Sequence, residues 1–271
     1  MTPDIVLSPL ELHMTSCATQ EEMNGNVRAT LARGHTPITP YLGAYSGTLS
    51  ICGSGPSLRE TCRDLKGDVL AINSAIGFLL DQGVVPKFGM IWDAHPVCES
   101  FAIPHEEITY LLGARCHPSV FGRLRNCTSI EWHAGGDHNI AQFLADEGIM
   151  EPMINGGSAG VTRAMYLACA LGYTDLHLYG ADSSLADDGK THVTQSALGE
   201  KVFRIWITYQ KAGVPFLTTP EMCAQVEEFM KITPHFEEFG LSVEVHGAGM
   251  LRHVYDLMQR KKVDDTMLKA A

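Results

Sequence analysis

The sequence predicts an α/β fold, a doubly wound and mostly parallel Rossmann-like sheet with a small β-hairpin insertion near residues 200–218. Three observations carry that expectation. From Thr48 onward, short apolar and β-branched runs alternate with helical stretches, the rhythm of strand–helix–strand crossovers. Several of these runs end in glycine or acidic residues, as at Gly53-Ser54-Gly55, Asp93-Ala94-His95 and Gly180-Ala181-Asp182. That is the side of an α/β sheet on which ligands bind. The 271 residues, 45% apolar and 19% charged, suffice for one large core or two small ones.

Residues 1–46 carry prolines and glycines without sustained periodicity and read as an extension laid over the domain or over a partner subunit. Only Glu21–Arg33, with Thr19 as its cap, predicts a helix there. Residues 47–271 read as a single domain. Thr48–Cys52 is a short buried strand, followed by a glycine turn and a helix that opens at Pro56. Asp68–Asn73 and Lys87–Trp92 are strands, with a helix from Ser74 to Gln82 between them, capped by Ser74. Ile108–Gly113 and Ser129–His133 are further strands, separated by a helix from Pro118 to Leu124. A helix is expected over His138–Glu147. Ser158 caps the next one, which Gly172 ends. Leu176–Tyr179 is a strand, and Asp182–Leu198 a polar loop. Val202–Tyr209 and Val214–Thr218 form the hairpin around Lys211-Ala212-Gly213. Pro220 opens a helix to Phe239, with Thr219 as its cap. Leu241–Val245 and a helix over Met250–Arg260 complete the pattern, before a frayed basic tail.

The net charge of −11 argues against a general nucleic-acid partner or an anionic membrane surface. No apolar run reaches the length of a membrane span. The N-terminus lacks the basic start of a secretory signal. Eight cysteines without a C-x-x-C pair read as scattered reduced thiols, so a cytoplasmic setting is expected.

The chemistry concentrates at strand ends. Gly53, Ser54, Gly55, Pro56 and Ser57 join a strand to a helix N-terminus, where free N–H groups and the helix dipole favour a phosphate. Such a turn also serves simply to begin a helix. Leu58 stands where the third glycine of G-x-G-x-x-G belongs, and Asn73 ends the next strand in place of an acidic residue, so NAD and FAD are disfavoured. Asn73 can instead bond a ribose or a base edge. Gly156, Gly157 and Ser158 form a second glycine turn before a helix. Asp93 and Asp182 lie at strand ends, and His192 lies in the polar loop. His177, inside an apolar strand, reads as structural. His95, His133 and His138 lack zinc-ligand spacing.

GSGPSL, the strand ending in Asn73, Trp92-Asp93-Ala94-His95, NGGSAGVTRAMYLACALGYTDLHLYGAD, His192 and VEVHGAGML occur here in one order. In that combination the chain resembles the MptE-like family, which groups archaeal 6-hydroxymethylpterin diphosphokinases with bacterial motility accessory factors that glycosylate flagellin. It is more distantly similar to small bacterial sialyltransferases that use CMP-sialic acid. The resemblance covers residues 47–256 and implies a nucleotide-binding transferase domain. It implies that Gly53–Ser57 line the nucleotide phosphates, Asn73 the ribose or base, and Gly156–Ser158 a second nucleotide contact. His192 falls at the position of the catalytic base. The tyrosines that assist phosphate departure in the sialyltransferases have no counterpart here.

Three functions follow. The first is glycosyl transfer from a CMP-type nucleotide sugar to the hydroxyl of a small molecule or glycan, with no cofactor and with His192 as base. Asp93 would then orient the acceptor or His192. The second is an ATP-dependent diphosphokinase acting on a pterin-like alcohol, with Asp93 holding Mg²⁺. The third is a nucleotide-binding module without catalysis. A homo-oligomer is compatible with each.

Overall fold

The computed structural model describes residues 18–136, 138–186, 188–194, 204–208 and 213–270. Helix α1 (Gln20–Ala32) begins at a capping box: Thr19 accepts from the Glu22 backbone and Glu22 reaches back to Thr19, closing two orphan donors at once. Strand β1 (Thr48–Cys52) leads through the glycine turn to a single helical turn, α2 (Leu58–Thr61). Then follow β2 (Asp68–Ile72), α3 (Ser74–Asp81), β3 (Phe88–Ile91), β4 (Thr109–Gly113), α4 (Pro118–Arg123), β5 (Ser129–Ala134) and α5 (His138–Asp146). The chain continues with β6 (Met153–Ile154), α6 (Gly160–Leu171), β7 (Asp175–Tyr179), β8 (Ile205–Thr208), β9 (Pro215–Thr218), α7 (Pro220–Glu238), β10 (Ser242–Val245) and α8 (Met250–Ala270).

Eight strands form one parallel sheet in the order β10-β7-β1-β2-β3-β4-β5-β6. β8 and β9 pair antiparallel, as the expected hairpin; Lys211 and Ala212 of its turn lie outside the described residues. Both sheet faces are covered, because alternate residues of a strand point to opposite sides. Leu49, Ile51, Leu70, Ile72 and Leu111 pack with α6, α7 and α8, whereas Cys52, Ala71, Tyr110 and Leu112 pack with α2, α3 and α4. Strands buried on both faces need no polar alternation, which is why they read as continuous apolar runs.

The segment before β1 lies against the sheet. Val27 of α1 packs on Ala114, Ile140, Phe143 and Leu144, and the Thr30 hydroxyl donates to the Ala114 carbonyl at 2.9 Å. Residues 36–38 bond to Glu131 of β5 on both sides of its backbone. Three local expectations are corrected, and one short strand is added. Ser74 does not cap α3; Asn73 precedes that helix with a left-handed backbone and no capping bond. Ser158 does not cap α6, which starts two residues later, after Ala159. The two-residue β6 is too short to leave a pattern. The expected frayed tail is helical to Ala270.

Candidate functional site

The order of the sheet sets the place of the site. β1 runs on to β2, β3 and β4 in one direction, while β7 and β10 lie on the other side of β1. The carboxyl ends of β1 and β7 therefore flank a topological switch point, where the connections diverge and leave a crevice. A cavity of about 180 Å³ opens there. Its walls are Gly53–Gly55 after β1, Ile72 and Asn73 at the end of β2, Gly180–Ser183 after β7, the start of α6 at Gly160 and Val161, Thr191 and His192, and Met222 and Gln225 of α7.

The glycines are needed for a reason other than the one the motif implies. A side chain at Gly53 or Gly55 would put its Cβ 2.6 Å from the Gly180 carbonyl oxygen. The two strand ends can approach only without it. The turn's amides are also spent on that approach: Gly53 N–H donates to the Tyr179 carbonyl at 2.8 Å and Gly55 N–H to the Gly180 carbonyl at 2.7 Å. Ser57 N–H donates to Asp182 Oδ2 at 2.7 Å, and the Ser57 hydroxyl donates to Oδ1 of the same carboxylate. α2 is one turn long, too short to sum a sizeable dipole. The phosphate cradle expected over Gly53–Ser57 is thus closed at Ser57 by the protein's own carboxylate, and Pro56 and Ser57 do not line the cavity. Burial pushes the Asp182 carboxyl up to about 6, against the lowering effect of the two Ser57 bonds.

The second glycine turn is closed in the same way. Gly157 holds a left-handed φ of 78°, with an added Cβ 2.3 Å from the Arg163 nitrogen. Ser158 N–H donates to both oxygens of Glu228 on α7, at 2.8 and 2.9 Å, and the hydroxyls of Ser158 and Thr162 donate to the same carboxylate. Gly156, Gly157 and Ser158 lie outside the cavity lining, while the next turn, at Gly160 and Val161, reaches it.

Three polar residues on the cavity lining stand out. Asn73 and Ser183 are the two non-glycine residues with positive φ among the described residues, at 49° and 51°. Asn73 combines φ 49° with ψ −120°, the corner of a type II′ turn that glycine normally takes. Asn73 Oδ1 and Ser183 Oγ are buried and have no hydrogen-bond partner within the protein. Strained backbone and unsatisfied polar atoms are both costly, and they gather where function holds them. The third group is His192. Val193 N–H donates to the Ser54 carbonyl at 2.7 Å and Arg59 Nη2 to the Val193 carbonyl at 3.0 Å. These bonds tie the polar loop to the glycine turn and bring His192 to the cavity wall. Burial lowers the pKa of its imidazole below the ordinary value, and its Nδ1 bonds with the Thr191 hydroxyl at 2.7 Å.

Asp93 stands apart from this cavity. It ends β3, two strands from β1, and accepts from the His95 backbone at 2.9 Å, while His95 Nδ1 accepts from Val97 N–H. Ser183, Gly160, Thr191 and Gln225 were not singled out from the sequence. Ser183 follows a recognised Gly-Ala-Asp strand end, but its strain is a property of the folded turn.

A family model described as 6-hydroxymethylpterin diphosphokinase MptE-like matches residues 26–188. The chain belongs to the MptE-like family. The match begins inside α1, ahead of the residues that carry the sequence resemblance, and ends within the loop that leads to His192. Among solved structures, the MptE-like chain is similar in fold to the MAf glycosyltransferase of Magnetospirillum magneticum AMB-1, with a TM-score of 0.60 at 17% identity. The likeness covers 84% of this MptE-like chain and 38% of that one, so the chain spans well under half of its structural neighbour. No curated protein gives a significant match. Among the described residues, no helix is long and apolar enough to cross a membrane.

The diphosphokinase reading implies Mg²⁺, and the donors present can be set against it. Mg²⁺ takes hard oxygen ligands. The one carboxylate lining the cavity is Asp182, whose two oxygens already accept from Ser57. Asp93 does not line the cavity. The described residues of this cavity therefore do not make a Mg²⁺ site.

Proposed function

We propose that the cavity between β1 and β7 binds the nucleotide part of a CMP-type nucleotide sugar, and that the protein transfers the sugar to an acceptor hydroxyl. The observation that carries this reading is the meeting of Asn73, Ser183 and His192 at one switch-point cavity, with the His192 imidazolium disfavoured by burial. Asn73 and Ser183 supply hydrogen bonds to ribose, base or phosphate, repaid by the ligand rather than by the protein. His192 takes the proton of the acceptor hydroxyl as its oxygen bonds to the anomeric carbon of the sugar. The bond from that carbon to the phosphate oxygen breaks with its electron pair, and the nucleotide leaves. An imidazole whose charged form burial disfavours suits that role near neutral pH. Asp93 lies beyond the end of β3 and outside the cavity lining, so this reading gives it no direct contact with the nucleotide. Gly156–Ser158 contribute to the nucleotide site only where Glu228 yields its place.

A second reading, ATP-dependent pyrophosphoryl transfer to a pterin-like alcohol, is favoured by the description of the family. Two parallel assays separate them. The purified protein should release CMP from a CMP-sugar in the presence of EDTA, and should form no AMP from ATP and Mg²⁺ with a hydroxymethylpterin acceptor. AMP formation that EDTA stops would overturn the glycosyl reading. Binding of CMP without turnover on any sugar donor would leave a nucleotide-binding module.

A further inference from the structure

Away from the cavity, the edge of the sheet carries a second chemical centre. β10 pairs with β7 in parallel register, with Glu244 opposite His177, so His177, Glu244 and His246 share one face. His177 Nδ1 and His246 Nε2 are 2.8 Å apart. Glu244 brings Oε2 to 3.4 Å from His177 Nδ1 and Oε1 to 3.8 Å from His246 Nε2. We propose that His177, Glu244 and His246 bind a divalent transition-metal ion of the zinc class, which clamps β10 onto β7.

Two imidazoles and one carboxylate are a donor set that zinc accepts while keeping a further position open. Zinc–nitrogen bonds of about 2.05 Å in a tetrahedron set ligand atoms about 3.3 Å apart. The His177–His246 and His177–Glu244 contacts, at 2.8 and 3.4 Å, lie on either side of that edge, and one ligand atom from each of the three residues falls within 4.8 Å of the others, so a modest side-chain movement closes the site. With Asp175 behind His177 Nε2, the matching tautomer has His246 Nε2–H donating to His177 Nδ1; an ion would take the place of that proton, which the His246 ring would then carry on Nδ1.

A carboxylate behind His177 gives it the orientation a metal ligand needs. His177 Nε2 lies 3.2 Å from Asp175 Oδ2, and Asp175 is itself fixed by the hydroxyls of Thr48, at 2.7 Å, and Ser242. A carboxylate behind a histidine holds the proton on the far nitrogen and turns the near lone pair toward the metal. The centre is graded in access. His177 is 5% exposed, the His246 side chain 18% and the Glu244 side chain 46%, which leaves access from solvent on the Glu244 side. None of the three lines the nucleotide cavity. The two histidines are 69 residues apart, so no short spacing announces them.

The test uses the full chain, freed of metal by dialysis against a chelator and titrated with Zn²⁺ by calorimetry. One Zn²⁺ per chain should bind and raise the melting temperature. Asp175→Asn should weaken binding about 10- to 100-fold, and His246→Gln and Glu244→Gln should weaken it at least as far. Co²⁺ in place of Zn²⁺ should give visible absorption that His246→Gln removes. Glu244 lies on the exposed rim, so its variant keeps a folded chain to measure if His246→Gln does not. Wild-type protein that takes up no stoichiometric Zn²⁺ would overturn the proposal, as would variants that bind it as tightly as wild type.

Discussion

His192 and Asp182 line one cavity wall, yet burial acts on them in opposite directions of charge. For His192, burial disfavours the imidazolium, so the base form is present further into acid than for a free histidine. His192→Ala should leave nucleotide affinity nearly unchanged and lower turnover about 10²- to 10⁴-fold. The wild-type rate should rise with pH through a pKa below the ordinary histidine value, and an alanine variant with undiminished turnover would remove His192 from the mechanism. For Asp182, the folded pKa of about 6 lies above the ordinary value of 3.8. The native state then binds more protons than the unfolded chain between those values, so stability is fullest below the lower one and is lost as pH rises through the upper one. A shift of about two units corresponds to at most about 3 kcal/mol. Asp182→Asn can still accept from Ser57 N–H and bond its hydroxyl. Urea unfolding at pH 4 and pH 7.5 should therefore show the variant losing less stability over that interval than wild type. Equal losses would place the burial cost elsewhere.

At the scale of elements, carboxylates from distant parts of the chain decide what the glycine turns do. Helix α7 places Glu228 against Ser158 and Thr162, so one helix caps the start of another. Glu228→Ala strands those donors and should cost about 1–2 kcal/mol by urea titration. Nucleotide affinity should not change, because Ser158 lies outside the cavity; a marked gain in affinity would show Glu228 and a phosphate competing for α6. This is also where the sequence reading stops. Strands such as Asp68–Ile72 and Phe88–Ile91 were legible because burial on both faces writes a continuous apolar run. The caps at Thr19 and Thr219 were legible because the capping bond spans only three residues. The partners of Ser57 and Ser158 are 125 and 70 residues away, beyond any local pattern. For the same reason the glycine turn showed where the site is but not what its amides are doing. His177 read as structural because its partners arrive with another strand.

For the molecule as a whole, the order of the sheet makes the site. With β7 returning to the open side of β1, the ends of β1, β2 and β7, the loop with His192 and two helices converge on one cavity. The fold spends stability there. A left-handed backbone at a residue other than glycine costs about 1–2 kcal/mol, and the Ser183 hydroxyl is buried without a partner. Ser183→Gly relieves both and should stabilise the ligand-free protein by about 1 kcal/mol. It also removes a donor from the nucleotide, which should weaken binding about 10- to 100-fold. A ligand bound only by the native state raises the melting temperature by an amount that grows with the logarithm of its concentration over its Kd. Melting temperature measured with and without saturating CMP, for wild type and Ser183→Gly, tests the claim most directly. The variant should melt higher alone and gain less from CMP. A variant that gains as much as wild type, or a wild type that CMP does not stabilise, would contradict a nucleotide site at the β1–β7 switch point.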